Sequence, residues 1–352
     1  MAQAGAIVAP IRLEAGRVLI DAGINGRGPY PFAIDTGAVV SGIEEDIAKG
    51  LGLPVLRRVR LAGKVFDLYQ ARELTLGGAV RQADAVLFGL KGDLGGAQGL
   101  LAAGLVTTFD STLDFDRSEW RVYPGGLPDR TGLEVLASSI RQDEGANGSR
   151  RIGVEVVLDG QKLSLVVDTG LPRTLVLETQ VGKRLGYWGE TRPFAPASSV
   201  GIAGPAPRPS RVFRGGALQI GGMTFDRPLV TVRDAPRMKQ EYDGILGLPI
   251  IELMTLSVDT AKGALLARRN VRARREERVS RTGLWVDEAP GGAKVSLVGK
   301  GGPAEAAGLK PGDRIKGPSF GAILRQLGAD SGVIELEVEG RGKVSLTPAA
   351  YI

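Results

Sequence analysis

The tripeptide Asp-Thr-Gly occurs twice in this sequence, each time at the end of an apolar run. The copies are Asp35-Thr36-Gly37 and Asp168-Thr169-Gly170. Because glycine has no Cβ, Gly37 and Gly170 let the backbone fold closely around the preceding carboxylate. Two carboxylates held about 3 Å apart cannot both ionise cheaply, so such a pair keeps one proton and presents an acid beside a base. A water between them can lose a proton to one carboxylate while the other protonates an amide carbonyl oxygen, which is hydrolysis.

Histidine and cysteine are both absent from the chain. Their absence excludes Ser-His-Asp and Cys-His nucleophile systems, disulfides and the usual histidine-containing zinc sites. Proton transfer must then fall to carboxylates, Lys or Tyr, and we expect neither a metal nor an organic cofactor. A serine–lysine pair is an alternative that the composition allows, but no second element in the sequence would orient one.

The composition is that of a globular protein large enough for two or three domains. The chain has 352 residues, of which 43% are hydrophobic and 24% charged. The 52 glycines and the low aromatic content of 5% favour short strands and tight turns, so we predict a mainly β protein. No run of 18 or more apolar residues is present, and we therefore expect no membrane span.

An internal duplication is visible around the two tripeptides. "GRVLIDAGI" and "PYPFAID" before Asp35 match "RIGVEVVLDG" and "KLSLVVD" before Asp168, each pair joined by a glycine-containing turn as in a hairpin. "EEDIAKGLGL" and "ETQVGKRLGY" then predict short helices that end at glycine. Further along, "LTLGG" and "GLLAAG" in the first half correspond to "LQIGG" and "GILGLP" in the second. The sequence thus predicts two tandem copies of one β unit.

The predicted organisation has five parts. They are an N-terminal lobe at 1–133, an interlobe linker at 134–150, a C-terminal lobe at 151–270, a basic connector at 271–279 and a third domain at 280–352. The formal net charge of +6 is concentrated near the connector, in "ARRNVRARREERVSR". This run lacks the aromatic residues of a nucleic-acid site, so we interpret it as a solvated connector and expect no nucleic-acid partner.

With these motifs in view, residues 10–270 resemble the aspartic proteases. The lobes are as compact as those of retropepsin-like proteases but fused in tandem, as in the bilobal pepsin-like enzymes, and "DTGA", "DTGL" and "ILG" at 245–247 carry the resemblance. The resemblance implies that Asp35 and Asp168 are the catalytic pair. It also implies that Thr36 and Thr169 bond across the lobes, with Gly37 and Gly170 supporting the loops. Mobile hairpins over the site are expected near 60–70 and 199–209.

Three positions depart from the family pattern. Leu171 replaces a smaller residue and could crowd its loop, and Arg173 would lower the pKa of a neighbouring aspartate if it turned inward. Ala102 stands where the second half has Gly247, at a contact that is normally tight. These departures support an alternative in which the loops only hold the lobes together, in a catalytically inactive peptide-binding or scaffold protein.

The third domain resembles the PDZ domains of bacterial proteases, through "GGPAEAAGLKPGDRI" preceded by "GLWV". The resemblance implies an α+β unit in which a loop before an edge strand binds the C-terminal carboxylate of a peptide. Here that loop is Gly283, Leu284, Trp285 and Val286, and the segment at 320–328 forms the helix on the other wall. The alternative is a unit used only for packing or oligomerisation.

The sequence therefore predicts an aspartic endopeptidase whose substrate is an extended polypeptide. A C-terminal peptide ligand of the PDZ domain, serving recruitment or regulation, is the second expected partner. The absence of cysteine fits either the cytoplasm or an oxidising compartment, and "AQA" near the start has the small-residue pattern left near a signal-peptide cleavage site, so we expect a periplasmic or secreted location.

Overall fold

The computed structural model describes residues 5–61, 64–128, 130–142, 150–189, 191–198, 200–201, 204–205, 208–234 and 241–352. Over these residues the protein is mainly β, as predicted. No helix in these ranges is long and apolar enough to cross a membrane.

The secondary structure of the described residues consists of many short strands and a few short helices. The strands are β1 (Ile7–Pro10), β2 (Arg12–Glu14), β3 (Arg17–Ile24), β4 (Arg27–Ile34), β5 (Gly42–Glu44), β6 (Val55–Leu61), β7 (Lys64–Leu76), β8 (Val80–Leu90), β9 (Gly99–Leu101), β10 (Ser111–Asp114), β11 (Glu119–Val122), β12 (Glu134–Val135), β13 (Ser138–Gln142), β14 (Arg150–Leu158), β15 (Gln161–Asp168), β16 (Leu175–Leu177), β17 (Ala195–Ala197), β18 (Val200–Gly201), β19 (Gly204–Pro205), β20 (Ser210–Arg214), β21 (Ala217–Ile220), β22 (Met223–Asp226), β23 (Leu229–Val232), β24 (Gly244–Gly247), β25 (Met254–Asp259), β26 (Ala264–Arg269), β27 (Leu284–Ala289), β28 (Gly292–Val298), β29 (Arg314–Lys316), β30 (Ile334–Val338) and β31 (Gly342–Leu346). The helices are α1 (Glu45–Gly50), α2 (Gly104–Thr107), α3 (Thr179–Arg184), α4 (Leu248–Ile251), α5 (Pro303–Ala306) and α6 (Phe320–Leu327).

The chain divides into two compact units that interleave in sequence. The first unit contains Met1–Thr174, Ala217–Asp226 and Tyr242–Arg275, and the second contains Leu175–Gly216, Arg227–Glu241 and Glu276–Ile352. Part of the predicted C-terminal lobe therefore groups with the predicted third domain. The boundaries drawn from the sequence at 133, 150, 270 and 279 stay a prediction.

In the first unit, an eight-stranded sheet has the order β2-β3-β4-β9-β5-β8-β7-β6. The hairpin of β3 and β4 lies beside β9, which runs parallel to β4 and pairs Ile34 with Leu101. The ends of β3 and β4 that lie nearest the site are buried on both faces, with Val18, Ile20 and Phe32 fully buried. This arrangement brings the end of β4, and so Asp35, to the middle of the sheet.

The second copy of this arrangement belongs to the same unit, where strands follow the order β24-β15-β14-β21-β22 and β13 pairs with β14. The β14–β15 hairpin matches β3–β4, and β24 runs parallel to β15, as β9 does to β4. Both predicted hairpins are present, and α1 and α3 lie within the predicted helices at 44–53 and 178–187. The duplication predicted from the sequence is thus present in the hairpin, the parallel strand beside it and the short helix of each repeat.

A six-stranded sheet with the order β1-β11-β10-β25-β26-β12 combines strands that follow each repeat. Strand β10 from the first repeat pairs with β25 from the second, and the buried hydroxyls of Thr112 and Ser257 bond across them at 2.8 Å. Buried Asp110 accepts from the backbone N–H of Thr260 at 2.8 Å. Since these buried polar groups find partners across the sheet, burial costs little and the two repeats are fastened together.

The second unit contains strands in the order β17-β20-β23-β16 and a five-stranded sheet in the order β27-β28-β29-β30-β31. Helix α6 occurs where the sequence predicted a helix, and the five-stranded sheet has its own apolar core, centred on fully buried Val295. Residues 282–346 are therefore an α+β element, the class predicted for the third domain.

Two predicted connecting segments are more ordered than connectors need to be. Within the predicted linker 134–150, β12 pairs with β26 and β13 pairs with β14, while residues 143–149 lie outside the described residues. In the basic run, Arg275 forms an ion pair with the buried carboxylate of Glu252, and Arg272 donates to the carbonyl oxygen of Phe115. Several of these arginines thus hold the chain against the first unit, an arrangement that charge composition alone does not reveal.

Candidate active site

The two aspartates of the repeated tripeptide meet in the first unit. Asp35 follows β4 and Asp168 ends β15, and their side chains are close enough to share a hydrogen bond. Each lies at the end of a strand that pairs in parallel with a later strand, since the N–H of Asp35 donates to Leu101 at 2.8 Å and Asp168 pairs with Gly247. The duplicated topology therefore brings the two carboxyl groups together.

Beneath the carboxyl groups, Thr36 and Thr169 form a symmetric set of four hydrogen bonds. The N–H of each threonine donates to Oγ1 of the other at 3.1 Å. Thr36 Oγ1 donates to the carbonyl oxygen of Val167 at 2.7 Å, and Thr169 Oγ1 donates to that of Ile34 at 2.6 Å. Both threonines are buried, so water cannot reach their polar groups, and these four bonds supply the partners that the groups need. The bonds expected between the two loops are present.

The glycines that follow are required because each faces the opposite aspartate. A Cβ on Gly37 would lie 2.4 Å from Cγ of Asp168, and a Cβ on Gly170 would lie 2.5 Å from Cγ of Asp35. Neither glycine has a positive φ, so close approach rather than backbone conformation explains the residue type. Any side chain at these positions would push the two carboxyl groups apart.

Backbone donors hold both carboxyl groups in their loops. Asp35 Oδ1 accepts from the N–H groups of Gly37 at 3.1 Å and Ala38 at 3.0 Å, and Asp168 Oδ1 accepts from Gly170 at 2.8 Å. These bonds fix the orientation of each side chain and favour its ionised form. Both side chains are half-buried at the surface, so each remains accessible to a water or a substrate.

The dense surroundings raise the pKa of both aspartates. Burial raises the pKa of Asp35, opposed by its bond to Asp168 and by the N–H donors of its loop. Burial also raises the pKa of Asp168 to about 8, assisted by the charge of Asp35 and by the bond between the two carboxyl groups. Such a pair titrates as a unit. Between the two apparent pKa values, it holds one proton and presents one acid and one base.

The alanine at position 102 is explained by a different hydrogen-bond acceptor for its backbone N–H in each repeat. Ala102 donates its N–H to the side-chain Oγ of Ser41 at 3.0 Å, whereas Gly247 donates to the backbone carbonyl of Thr174 at 2.9 Å. A Cβ on Gly247 would lie 1.8 Å from the carbonyl oxygen of Arg173. The first repeat replaces a backbone acceptor with a serine side chain, and this leaves room for the methyl group of Ala102.

The departures at Leu171 and Arg173 leave the second loop intact. Leu171 is half-buried, and its backbone N–H donates to the carbonyl oxygen of Asp168 at 3.3 Å, as Ala38 does to Asp35 at 3.2 Å. The cation that lowers the pKa of Asp35 is Arg17. Arg17 is absent from the residues singled out in the sequence. The duplication is the sequence feature that could have identified Arg17, because Arg151 stands at the matching position of the second repeat.

Of the two hairpins expected to be mobile, the structure describes most of the first and less of the second. The segment 60–70 lies in the hairpin of β6 and β7, whose Phe66 packs edge-on against Phe88 with ring centroids 5.9 Å apart. Residues 62–63 at its tip lie outside the described residues, as does most of 199–207 in the second segment. The roles of both hairpins stay predictions.

The four residues expected to form a carboxylate-binding loop lie at the beginning of β27. Gly283 has a φ of +72° and donates its N–H to Oγ of Ser280 at 3.1 Å. The side chains of Leu284 and Val286 are buried in the core of the five-stranded sheet, and Trp285 is half-buried. The face of Gly283 is covered by Tyr351, whose hydroxyl would lie 3.0 Å from a Cβ at that position.

Comparison with known proteins gives a family match over part of the chain. Residues 154–250 match the model of the family described as aspartyl protease. No curated protein matches the chain.

Among solved structures, the chain is similar to an aspartic proteinase from Irpex lacteus, with 13% identity, 76% of this chain and 98% of that chain covered and a TM-score of 0.45. A retropepsin-like aspartic protease from Rickettsia conorii has 16% identity over 39% of this chain and 93% of that chain, with a TM-score of 0.29. Basic 7S globulin from soybean has 12% identity over 75% of this chain and 95% of that chain, with a TM-score of 0.43. The segment that matches the aspartyl protease family, residues 154–250, contains the second of the two paired loops, Asp168-Thr169-Gly170.

Proposed function

We propose that this protein is an aspartic-type endopeptidase that hydrolyses peptide bonds of extended polypeptides with water activated by Asp35 and Asp168. One observation carries the proposal. Two carboxyl groups from matching loops lie within hydrogen-bonding distance, in surroundings that raise the pKa of both. That arrangement keeps one proton on the pair between its two apparent pKa values, and general acid–base hydrolysis requires one acid beside one base.

In the proposed reaction the ionised carboxylate removes a proton from a water held between the two side chains. The water oxygen bonds to the carbonyl carbon of the peptide, while the protonated carboxyl group gives its proton to the carbonyl oxygen. The resulting tetrahedral diol loses a proton from one hydroxyl as the amide nitrogen gains one, and the C–N bond breaks. The products are a carboxylic acid and an amine, and the pair again holds one proton.

The departures at Ala102 and Leu171 were the main support for an inactive protein. Ala102 is accommodated by its bond to Ser41, and the loop around Leu171 retains its backbone bond to Asp168. Neither departure therefore disturbs the aspartate pair. The endopeptidase proposal is therefore preferred to a peptide-binding or scaffold protein that does not cleave.

The test is cleavage of a peptide library by the full chain at mildly acidic pH. Asp35→Asn and Asp168→Asn should each lower kcat/KM by at least about 100-fold, since either change removes the acid or the base. Asp46→Asn, at an exposed position in the first turn of α1, is the matched control and should cleave like wild type. Equal cleavage by wild type and both dyad variants would contradict the proposal.

For residues 280–352 we propose a peptide-binding role in recruitment or regulation. Strand β27 lies at one end of the five-stranded sheet, so alternate N–H and C=O groups along it have no strand partner on that side among the described residues. Helix α6 packs beside β27 and β28 and presents Leu324, whose side chain is 46% exposed. An extended peptide can add to such an edge, with its side chains against the helix.

This second role is tested with the full chain carrying Asp35→Asn, so that the probe survives. Labelled peptides that end in a free carboxylate and an apolar residue are compared with their C-terminal amides by fluorescence anisotropy. Tighter binding of the free acids, weakened by Leu324→Asp, supports the role. Equal binding of acids and amides, or no binding of either, would overturn it.

A further inference from the structure

The position of Arg17 is set by the register of the first hairpin. Strand β3 begins at Arg17, and its pairing with β4 joins Leu19 to Ala33 and Ile20 to Phe32. Two residues further along each strand, the same register places Arg17 opposite Asp35, on the same face as Leu19 and Ala33. Leu19 and Ala33, on that face, pack with Ala97 and Leu94. Arg17 thus lies beside the first aspartate at the open end of the hairpin.

The guanidinium of Arg17 packs against Gly95. A Cβ on Gly95 would lie 2.7 Å from Nε and 3.2 Å from Nη2 of Arg17, and Gly95 has a φ of +68°. The N–H of Gly95 donates to Oδ1 of Asp93 at 2.7 Å, which fixes the turn. Next to Arg17 in the chain, Gly16 faces the second aspartate loop, and a Cβ on Gly16 would lie 3.5 Å from Cβ of Pro172. The guanidinium of Arg17 therefore lies against the turn at Gly95, and the backbone before it lies beside the second aspartate loop.

Within the described part of the chain Arg17 forms no ion pair and no hydrogen bond, although its charge acts on Asp35. No carboxylate oxygen in these residues lies within 4.0 Å of its guanidinium, and no described group shares a hydrogen bond with it. Nearby Arg12, by contrast, is paired with both Glu14 and Asp21. Arg17 is nevertheless half-buried, where an arginine usually has an acceptor. Its planar donors remain available for a ligand.

We propose that Arg17 is a specificity-determining residue that binds an acidic side chain of the substrate close to the scissile bond. The inference rests on the proposed endopeptidase function and adds the substrate class: extended polypeptides with a Glu or Asp flanking the cleaved bond. A guanidinium forms charge-assisted, bidentate bonds with a carboxylate and gains less from a neutral amide. Arg17 does not touch the reacting atoms. Its field also lowers the pKa of Asp35, and a bound carboxylate would reduce that effect.

The experiment measures binding rather than turnover, so that it is independent of catalysis. Two peptides that carry a hydroxyethylene group in place of the scissile amide differ only in Glu or Gln at a flanking position. Each flanking position is tested in turn against the full chain by calorimetry at pH 6, where a free Glu is ionised. At one position or more, wild type should bind the Glu peptide about three- to tenfold more tightly than the Gln peptide.

The variants separate recognition from a structural role. Arg17→Gln should bind both peptides equally, and Arg17→Lys should restore part of the preference. Arg72→Gln, at an exposed position of β7, is the matched control and should keep the wild-type preference. The preference should also shrink with added salt, since a partly exposed ion pair is screened.

Two outcomes overturn the inference. One is equal or undetectable binding of the Glu and Gln peptides at every position, and the other is a preference that Arg17→Gln leaves intact. Failure of the proposed function has a different signature, because cleavage would then not depend on Asp35 while the binding preference could still be present. The pH dependence of kcat/KM gives a further readout, which a purely structural role of Arg17 would not change. Because Arg17 lowers the pKa of Asp35, Arg17→Gln should shift the acid limb of this profile to higher pH.

Discussion

Thr36 and Thr169 hold each other through both their backbone and their side chains, with each N–H donating to the other's Oγ1 at 3.1 Å. The two hydroxyls then donate to carbonyl oxygens of Val167 and Ile34, the residues before the two opposing aspartates. The backbone of each loop is thereby tied to the strand that carries the other. The position of the carboxyl pair depends on this connection, and its loss should affect both stability and activity.

Replacing Thr36 with valine removes the hydroxyl at nearly constant volume. The carbonyl of Val167 and the N–H of Thr169 then lose a buried partner, which should lower the free energy of unfolding by about 2–4 kcal/mol. Thr36→Ser retains the hydroxyl and should cost about 1 kcal/mol or less. Urea unfolding followed by circular dichroism measures both. If the valine and serine variants are equally stable, the bonds between the loops contribute little.

Placing a methyl group on Gly37 should separate the aspartates without removing either. The added Cβ would lie 2.4–2.8 Å from three atoms of the Asp168 carboxyl group, so that group must move. A displacement of this kind should lower kcat by about 100-fold. Gly50→Ala is the matched control, because a Cβ there meets nothing within 4 Å. Wild-type kcat in Gly37→Ala would show that the contact is not needed.

The raised pKa of Asp168 predicts how stability depends on pH. The group titrates at about 8 in the folded chain and at about 4 when unfolded, so between these values the unfolded chain releases a proton that the folded chain keeps. Stability from this group is fully present below pH 4 and is lost as the pH rises to 8. Asp168→Asn has no such loss.

The melting temperature of Asp168→Asn, relative to wild type, should therefore rise between pH 4 and pH 8, by about 2–4 °C for each kcal/mol of differential stability. Scanning calorimetry at several pH values measures the difference. A constant offset across this window would contradict a raised pKa.

In the second unit, Tyr351 is expected to connect two segments. Its hydroxyl donates to the carbonyl oxygen of Phe194 at 3.1 Å, and its ring lies against Gly299 and Gly302. Burial raises the pKa of Tyr351, which keeps the phenol neutral and able to donate. Tyr351→Phe should cost about 1 kcal/mol through the lost bond, and Tyr351→Ala about 2–4 kcal/mol through the lost packing.

Hydrogen exchange gives the local readout for these variants. Tyr351→Ala should accelerate exchange at 191–198 and at 280–302, with Tyr351→Phe intermediate. Unchanged protection at 191–198 would show that the contact does not couple the two segments. Because these residues share one compact unit, deleting everything after residue 267 would also remove partners of Phe194, and a point variant is the cleaner probe.

The sequence could predict the aspartate pair because its evidence is local and repeated. A strand, an Asp-Thr-Gly turn and a short helix occur twice in the same order, and a duplicated β unit brings equivalent ends together. The same logic predicted both hairpins, α1 and α3. The α+β character of residues 282–346 and the position of α6 followed instead from the resemblance to PDZ domains.

Features that depend on long-range contacts were not predictable. Ala102 looked like a defect because the sequence does not show that Ser41 replaces a backbone acceptor. Arg17 was missed because its position beside Asp35 follows from hairpin register rather than from any motif. The covering of Gly283 by Tyr351 joins residues far apart in the chain, as does the grouping of 175–216 and 227–241 with the third domain.

The central claim is that Asp35 and Asp168 hold one proton between them, and carboxyl ¹³C NMR of the aspartate-labelled full chain tests it most directly. The account predicts one carboxyl signal that titrates with an apparent pKa of about 8 in wild type. In Asp35→Asn that pKa should fall, because the charge and hydrogen bond of Asp35 both raise it. If every aspartate signal of the wild-type chain completes its titration below pH 5, the two carboxyl groups do not share a proton and the proposed mechanism is wrong.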